Sequence, residues 1–214
     1  MINKRNDSGI FISMEGPDGS GKSTQTKLLY EHLKESGYDV LLTREPGGTF
    51  VGEKIRAIIL DKDHHEMGDR TESLLFAGAR AQHVDQVIKP ALEAGRIVVC
   101  DRFIDSSIVY QGYGRGLGDS VRAINEYAID GCLPDRTLLL LVDPKTGIDR
   151  IAKKDQDRLE LLDISFHERV YQGYLELMGL YPERIVAIDG EASVDKIAME
   201  VRKEVDLLLL ERGK

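Results

Sequence analysis

The stretch Ile10-Phe-Ile-Ser-Met-Glu-Gly-Pro-Asp-Gly-Ser-Gly-Lys-Ser-Thr24 decides the fold. The run from Gly9 to Glu15 is apolar and β-branched, and it has the length of a fully buried strand. A glycine-rich loop follows, and leucines then recur at helical spacing as far as Lys34. The stretch therefore predicts a strand, a tight loop and a helix in direct succession.

The rest of the chain repeats this alternation. Further strands are predicted at 38–43, 96–100, 137–142 and 184–188. Helices are predicted at 51–60, 71–94, 106–111 and 119–129, from Pro144, up to about Leu180 and at the end of the chain, with a break or end near Pro90 in the second of these. Because such alternation needs crossover connections, we expect an α/β fold in which a five-stranded parallel sheet carries helices on both faces. Ligands should then bind at the carboxyl ends of the strands.

Composition indicates one globular domain. The 214 residues are 42% hydrophobic and 31% charged, and we expect a single domain with a polar tail at residues 1–8. No apolar run approaches the roughly 20 residues of a membrane span, so no membrane partner is expected. The net charge of −8 disfavours a nucleic acid polymer and favours a small phosphorylated ligand. We expect Cys100 and Cys132 to be buried thiols in a reducing compartment, the cytoplasm.

The loop matches the pattern G-x-x-x-x-G-K-[ST], which predicts a P-loop NTPase-type fold. Its glycines allow backbone N–H groups to surround phosphate oxygens at the start of the following helix. Lys22 is expected at the β- and γ-phosphates and Ser23 at Mg²⁺, the predicted cofactor. The predicted ATP-binding residues are Gly16, Pro17, Asp18, Gly19, Ser20, Gly21, Lys22, Ser23 and Thr24. This pattern alone indicates only the binding of a nucleoside triphosphate.

Asp101 and Arg102 follow the predicted strand at 96–100. A carboxylate at this place can hold a metal-bound water, and a guanidinium can grip two phosphate oxygens. A strand-end ion pair is the alternative, but the position beside the P-loop favours a functional role. Asp101 is therefore the second predicted metal ligand, beside Ser23.

Four segments of the chain resemble thymidylate kinases. They are Glu15-Gly-Pro-Asp-Gly19, Arg44-Glu-Pro-Gly-Gly48, Phe76 with Arg80, and Asp101-Arg-Phe103 with Ser106-Ser-Ile-Val-Tyr-Gln-Gly112. The resemblance implies in-line transfer of the γ-phosphoryl group of ATP-Mg to dTMP, giving dTDP in dTTP synthesis. It also implies a cytoplasmic homodimer.

The resemblance also implies an acceptor site. Phe76 would stack on thymine, Arg80 would bind its O4 edge, and Ser107 with Gln111 would contact the remaining polar edge. Phe76 and Arg80 lie four residues apart, so one helix face can present both to a flat ring. Without the resemblance, a core Phe beside a surface Arg would be the usual interpretation.

Three further contacts with dTMP are implied by the resemblance. Tyr110 would crowd the 2′ carbon and so select deoxyribose. Asp18 would approach the 3′-hydroxyl or the metal shell. Arg56 and Arg102 would hold the phosphate of dTMP.

The charged stretch at about 150–160 is typical of an exposed, mobile segment, and the resemblance implies a short lid over ATP. A solvated helix end is the alternative. Gly19 stands where one arrangement of the family places a catalytic Arg, so the chain resembles the bacterial arrangement, in which lid cations act. The predicted catalytic residues are Lys22, Arg102, Asp18, Arg150, Lys154 and Arg158.

Two other functions remain open at this point. A kinase of the same fold could phosphorylate another small acceptor, such as a different nucleotide or shikimate. A nucleotide-dependent switch would instead hydrolyse ATP slowly and signal through its loops.

Overall fold

The structure is a computed structural model and describes residues 9–152 and 156–213. The predicted polar tail at residues 1–8 lies outside this part of the chain. The strands are β1 Ile10–Glu15, β2 Val40–Arg44, β3 Ile97–Asp101, β4 Arg136–Leu141 and β5 Ile185–Asp189. The helices are α1 Lys22–Glu35, α2 Phe50–Leu60, α3 Asp69–His83, α4 Lys89–Glu93, α5 Ile104–Ser107, α6 Asp119–Ile129, α7 Pro144–Ile151, α8 Ile164–Leu180 and α9 Val194–Glu211.

The five strands form one parallel sheet in the order β2-β3-β1-β4-β5, which confirms the predicted α/β fold. The central strand, β1, pairs with β3 from Ile10 opposite Ile97 and with β4 from Ile12 opposite Arg136. The carboxyl ends of β1 and β3 therefore meet at one edge of the sheet. The P-loop, which follows β1, and Arg102, which follows β3, both begin at this edge.

Helices cover both faces of the sheet because successive side chains of each buried strand point to opposite faces. On one face, Phe11 packs in a cluster with Val84, Ile88 and Tyr174. On the other face, Ile10 and Ile12 pack in a cluster that includes Leu29 of α1 and Val201, Val205 and Leu208 of α9. The edge of the sheet where the P-loop begins is thus held by a packed hydrophobic cluster on each face.

Two segments differ from the predicted helices. The helix predicted at 71–94 begins at Asp69 and contains a π-helical turn, Val84–Ile88, before α4. Pro90 is the second residue of α4 and closely follows the π-helical turn, and the chain stays helical past this proline. The helix predicted at 106–111 begins at Ile104 and becomes π-helical at Ile108–Gly114. Such π-helical turns often occur at functional sites.

Within residues 9–152 and 156–213, no helix is both long and apolar enough to cross a bilayer.

Candidate active site

A cavity of about 700 Å³ opens at the carboxyl ends of β1 and β3. It joins the P-loop to the segment after β3 and to α3. Most of the predicted site residues line it, namely Asp18, Gly19, Ser20, Gly21, Lys22, Ser23, Thr24, Arg56, Phe76, Arg80, Asp101, Arg102, Ser107, Tyr110, Gln111 and Arg150.

Lys22 begins α1 and folds back into the P-loop. Its Nζ donates to the carbonyl oxygens of Gly16 (2.9 Å) and Pro17 (2.6 Å) and lies 3.3 Å from Ser20 Oγ. Burial and, secondarily, the charge of Arg102 lower the pKa of Lys22 to about 8. These acceptor oxygens are neutral, and phosphate oxygens entering the loop would add charged acceptors. Gly16 and Pro17 thus hold Lys22 and are not among the residues that line the cavity.

Gly19 fits closely against α7. Its φ is +75°, and a Cβ built there would lie 2.1 Å from the carbonyl oxygen of Gly147. A Cβ on Gly147 would in turn lie 2.3 Å from the carbonyl oxygen of Asp18. The backbone of α7 therefore leaves no room at position 19 for the arginine of the other family arrangement, which is the physical reason for a glycine here.

Ser23 and Asp101 meet at the sheet edge, where Ser23 Oγ donates to Asp101 Oδ2 at 2.5 Å. A hydroxyl and a carboxylate oxygen are ligands that suit Mg²⁺. In the described part of the chain, no group of three or more His, Cys, Asp or Glu side chains is placed to hold a metal. The two oxygens fit an ion that takes its other ligands from phosphates and water, as Mg²⁺ usually does.

Asp18, Arg102 and Tyr110 form one polar cluster beside the loop. Arg102 Nη2 forms a short ion pair with Asp18 Oδ1, and Tyr110 Oη donates to Asp18 Oδ2 at 2.8 Å. The guanidinium also lies 5.0 Å from the centre of the Tyr110 ring. Burial opposes ionisation of Asp18, but the charges of Arg102 and Lys22 hold its pKa below the ordinary value. The cluster therefore presents a fixed guanidinium between the loop and the acceptor end.

The turn that carries Arg102 is strained and well supported. Arg102 has a φ of 68°, a conformation that costs a residue with a side chain about 1–2 kcal/mol. Glu15, at the end of β1, accepts from Phe103 N at 2.7 Å and from Ser106 Oγ at 2.6 Å. Burial, together with the charge of Asp105, raises the pKa of Glu15 to about 7. Backbone strain held in place by surrounding contacts is typical of functional sites.

Arg80 is built into the core instead of lying on the surface, and only 2% of it is exposed. Its Nε donates to Glu45 Oε2 at 2.7 Å, Nη1 to Ser107 Oγ at 2.9 Å and to Asn125 Oδ1, and Nη2 to the Phe103 carbonyl at 2.9 Å. These four bonds use four of the five guanidinium N–H groups, so one N–H remains for a ligand. Phe76, one turn earlier in α3, is partly exposed and lines the same cavity.

Gln111 and Arg56 complete the acceptor end. Gln111 Nε2 donates to Glu72 Oε1 at 2.9 Å, while Gln111 Oε1 is buried without a hydrogen-bond partner in the described part of the chain. Arg56 Nη1 donates to the Pro46 carbonyl at 3.0 Å. Burial and the nearby charge of Arg44 lower the pKa of Arg56.

The structure separates the predicted lid cations. Arg150 lines the cavity, and its Nη1 lies 3.3 Å from the Gly19 carbonyl and 3.0 Å from the Gly190 carbonyl. Arg158 is not among the lining residues, because its Nη2 pairs with Glu72 at 2.7 Å and its Nε donates to the Ile59 carbonyl at 2.9 Å. In this conformation Arg158 anchors the segment before α8 to α2 and α3. Lys154 and Lys153 lie outside the described residues.

Two supporting residues were missed in the sequence, namely Glu72 and Asn125, whereas Glu45, which holds Arg80, belongs to the Arg44–Gly48 segment of the resemblance. Glu72 could have been found, because Glu72, Phe76 and Arg80 follow one another at intervals of four residues and share a face of α3. Asn125 has no such signal, since α6 is brought to Arg80 only by tertiary packing. The donor end of the cavity is also lined by Ala192, Ser193, Val194 and Ile197, which follow β5.

The fold and the site together define a P-loop phosphotransferase in which a phosphate-binding loop faces a second end lined by Phe76, Arg80 and Gln111. A family model described as thymidylate kinase matches residues 14–201. The chain belongs to the thymidylate kinase family.

Individual relatives agree with this family over nearly the whole chain. A thymidylate kinase from an Exiguobacterium species is 55% identical over 196 residues, which are 91% of this chain and 92% of the relative. A thymidylate kinase from Oceanobacillus iheyensis is 46% identical over 210 residues, which are 96% and 93% of the two chains. The crystal structure of thymidylate kinase from Ehrlichia chaffeensis has a TM-score of 0.78 at 35% identity and covers 92% of this chain and 98% of that one.

Proposed function

We propose that this protein transfers the γ-phosphoryl group of ATP to dTMP, giving dTDP for the synthesis of dTTP. The observation that carries the proposal is one continuous cavity with the P-loop at one end and Phe76, Arg80 and Gln111 at the other. The transfer needs two nucleotides held in line and positive charge along the transferring oxygens. The side chains that line this cavity can hold two nucleotides and can supply the positive charge.

The acceptor end suits thymine. Phe76 offers a ring face for stacking, and the fifth N–H of Arg80 offers a donor to a carbonyl oxygen such as O4. Gln111 Oε1, which has no hydrogen-bond partner within residues 9–152 and 156–213, offers an acceptor to the ring N–H of thymine. Tyr110 donates to Asp18 of the P-loop, and both side chains line the cavity, where we assign them to the sugar.

The donor end suits ATP with Mg²⁺. The P-loop amides and Lys22 would hold the phosphates, and Ser23 with Asp101 would hold the ion. Bound there, Mg²⁺ would neutralise charge on the β- and γ-phosphates. Arg102 and Arg56 line the stretch between the loop and α3, and we assign them to the phosphate of dTMP.

We propose Arg150 as a cation that acts on the donor nucleotide, because it lines the cavity and contacts both the P-loop and the loop after β5. For Arg158 the contacts with Glu72 and Ile59 support an anchoring role. Lys22, Arg102 and Asp18 remain the proposed catalytic residues, Lys22 and Arg102 by holding the two phosphates and Asp18 by positioning Arg102.

We also propose that the protein is a cytoplasmic homodimer. Large apolar side chains are exposed on α2, α3 and α6, including Ile58 (44%), Leu74 (59%) and Tyr127 (88%). These three helices pack in sequence, α2 on α3 and α3 on α6, so together they offer an apolar surface for a second copy. Leu74→Glu should shift the mass measured by sedimentation from two chains to one, whereas a wild-type mass of one chain would refute the dimer.

Initial rates with ATP-Mg and a panel of nucleoside monophosphates test the proposed reaction. We expect rapid turnover of dTMP, slower turnover of dUMP and little turnover of purine monophosphates. ATP hydrolysis without phosphorylation of any acceptor would instead support a switch, and equal rates with purine acceptors would refute the thymine site.

A further inference from the structure

Glu72 is a fully buried carboxylate in the first turn of α3, and it does not line the cavity. Its Oε1 accepts from Gln111 Nε2 at 2.9 Å and lies 3.3 Å from Arg115 Nε. Its Oε2 accepts from Arg115 Nη2 at 2.8 Å and from Arg158 Nη2 at 2.7 Å. The carboxylate thus has two arginines at one oxygen and an amide and an arginine at the other.

These contacts keep Glu72 ionised. Burial opposes the charge, but the hydrogen bonds from Arg115 and Gln111 hold the pKa of Glu72 below its ordinary value. An ionised carboxylate only accepts hydrogen bonds, so it can face the NH₂ group of Gln111 and not the amide oxygen. The orientation of the amide is therefore set by Glu72.

The consequence for Gln111 is that its amide oxygen is left for a ligand. With Nε2 held by Glu72, the oxygen Oε1 is buried and has no hydrogen-bond partner among the described residues, in a side chain that lines the cavity. Leaving such an atom unpaired is costly, so a ligand that supplies a donor at this point is favoured. A ligand that presents a lone pair here would be repelled.

We propose that Glu72 is a positioning residue that fixes the Gln111 amide with its oxygen available to the base, and thereby selects a pyrimidine with an N–H at ring position 3. This inference rests on the proposed binding of thymine at this end of the cavity. Thymine and uracil carry that N–H, whereas cytosine has a lone pair at the same position. Glu72 sets the base specificity without touching the base.

Glu72→Gln reverses the arrangement. The glutamine oxygen stays toward Arg115 and Arg158, whose N–H groups can only donate, so its NH₂ group faces Gln111. The Gln111 amide then turns, accepts from residue 72 and presents its own NH₂ group to the base. The substitution replaces one carboxylate oxygen of residue 72 with an NH₂ group of similar size. The group that Gln111 presents to the base then changes from an acceptor to a donor.

The test compares kcat/KM for dTMP and for 5-methyl-dCMP, which keeps the methyl group but has a lone pair at position 3. Losing one neutral hydrogen bond with dTMP and gaining one with 5-methyl-dCMP is worth about 3–10-fold each. Glu72→Gln should therefore lower the preference for dTMP by about 10–100-fold, with a remaining preference from Arg80. The reciprocal pair Glu72→Gln/Gln111→Glu restores an acceptor at position 111 and should restore most of the preference.

Arg115→Gln is the matched control, because it removes a partner of the same carboxylate and leaves the bond to Gln111. It should lower the melting temperature and leave the preference within about twofold. A preference unchanged in Glu72→Gln, or lost equally in Arg115→Gln, would overturn the proposal. Wild-type turnover of dTMP tests the proposed function separately.

A measurement on the unmodified chain covers the case in which Glu72→Gln does not fold. A neutron structure of the wild-type protein with dTMP locates the deuterium atoms of the Gln111 amide. We expect them on the atom that faces Glu72. Deuterium on the atom that faces the base would overturn the proposal.

Discussion

Replacing Arg80 with alanine should destabilise the protein as well as weaken the binding of dTMP. The guanidinium is buried against Glu45, whose side chain is only 3% exposed, and the substitution leaves that carboxylate with His83 as its remaining ionisable partner. Breaking a buried ion pair by removing one partner costs about 3–5 kcal/mol. In a chain of 214 residues, this corresponds to a fall in melting temperature of about 6–20 °C. Loss of the bond to the base should raise the KM for dTMP by about tenfold or more.

Thermal unfolding and steady-state kinetics measure the two effects separately. Arg70→Ala is the matched control, since Arg70 is exposed on the same helix, and it should change the stability by no more than about 0.5 kcal/mol. The KM for ATP should change much less than the KM for dTMP. A melting temperature within 2 °C of the wild type in Arg80→Ala would contradict the buried ion pair. Equal rises in both KM values would contradict the contact between Arg80 and the base.

Three further predictions concern the P-loop. Gly19→Ala should destabilise the nucleotide-free protein more than Gly21→Ala. Both glycines have a positive φ, but only a Cβ at position 19 would meet the Gly147 carbonyl. Equal falls in melting temperature for the two variants would contradict this prediction. Phosphates should raise the Lys22 pKa above its nucleotide-free value of about 8, so ATP binding should take up protons and should weaken as the pH rises above 8. Calorimetry in buffers of different ionisation enthalpy measures this proton uptake. The uptake should be absent in Lys22→Met. Ser23→Ala should raise the Mg²⁺ concentration for half-maximal rate by about tenfold or more, and an unchanged Mg²⁺ dependence would remove Ser23 from the metal site.

The sheet and the P-loop could be predicted because their signals are local. Buried parallel strands are short apolar runs, and the loop between Gly16 and Ser23 has a spacing that follows from the geometry of a phosphate cage. The helices were less predictable at their ends. At Pro90 the sequence suggested a break, whereas the chain absorbs the proline in the first turn of α4 after a wider π-helical turn.

For the candidate acceptor site, the sequence indicated a set of residues but not the contacts that these residues make within the core. The sequence indicated Arg80 as a side chain at the base but gave no sign that four of its donors are used within the core. It indicated Arg158 as a candidate lid cation but gave no sign of its pair with Glu72, which lies 86 residues away in the sequence. Contacts between residues so far apart depend on tertiary packing, which no local pattern encodes.

A crystal structure with dTMP and a non-hydrolysable ATP analogue tests the central claim most directly. We expect the triphosphate on the P-loop with Lys22 turned toward it, thymine against Phe76 and Arg80, and the phosphate of dTMP beside Arg102 in line with the γ-phosphate. A thymine base bound away from Phe76, or an acceptor phosphate away from Arg102, would contradict the account.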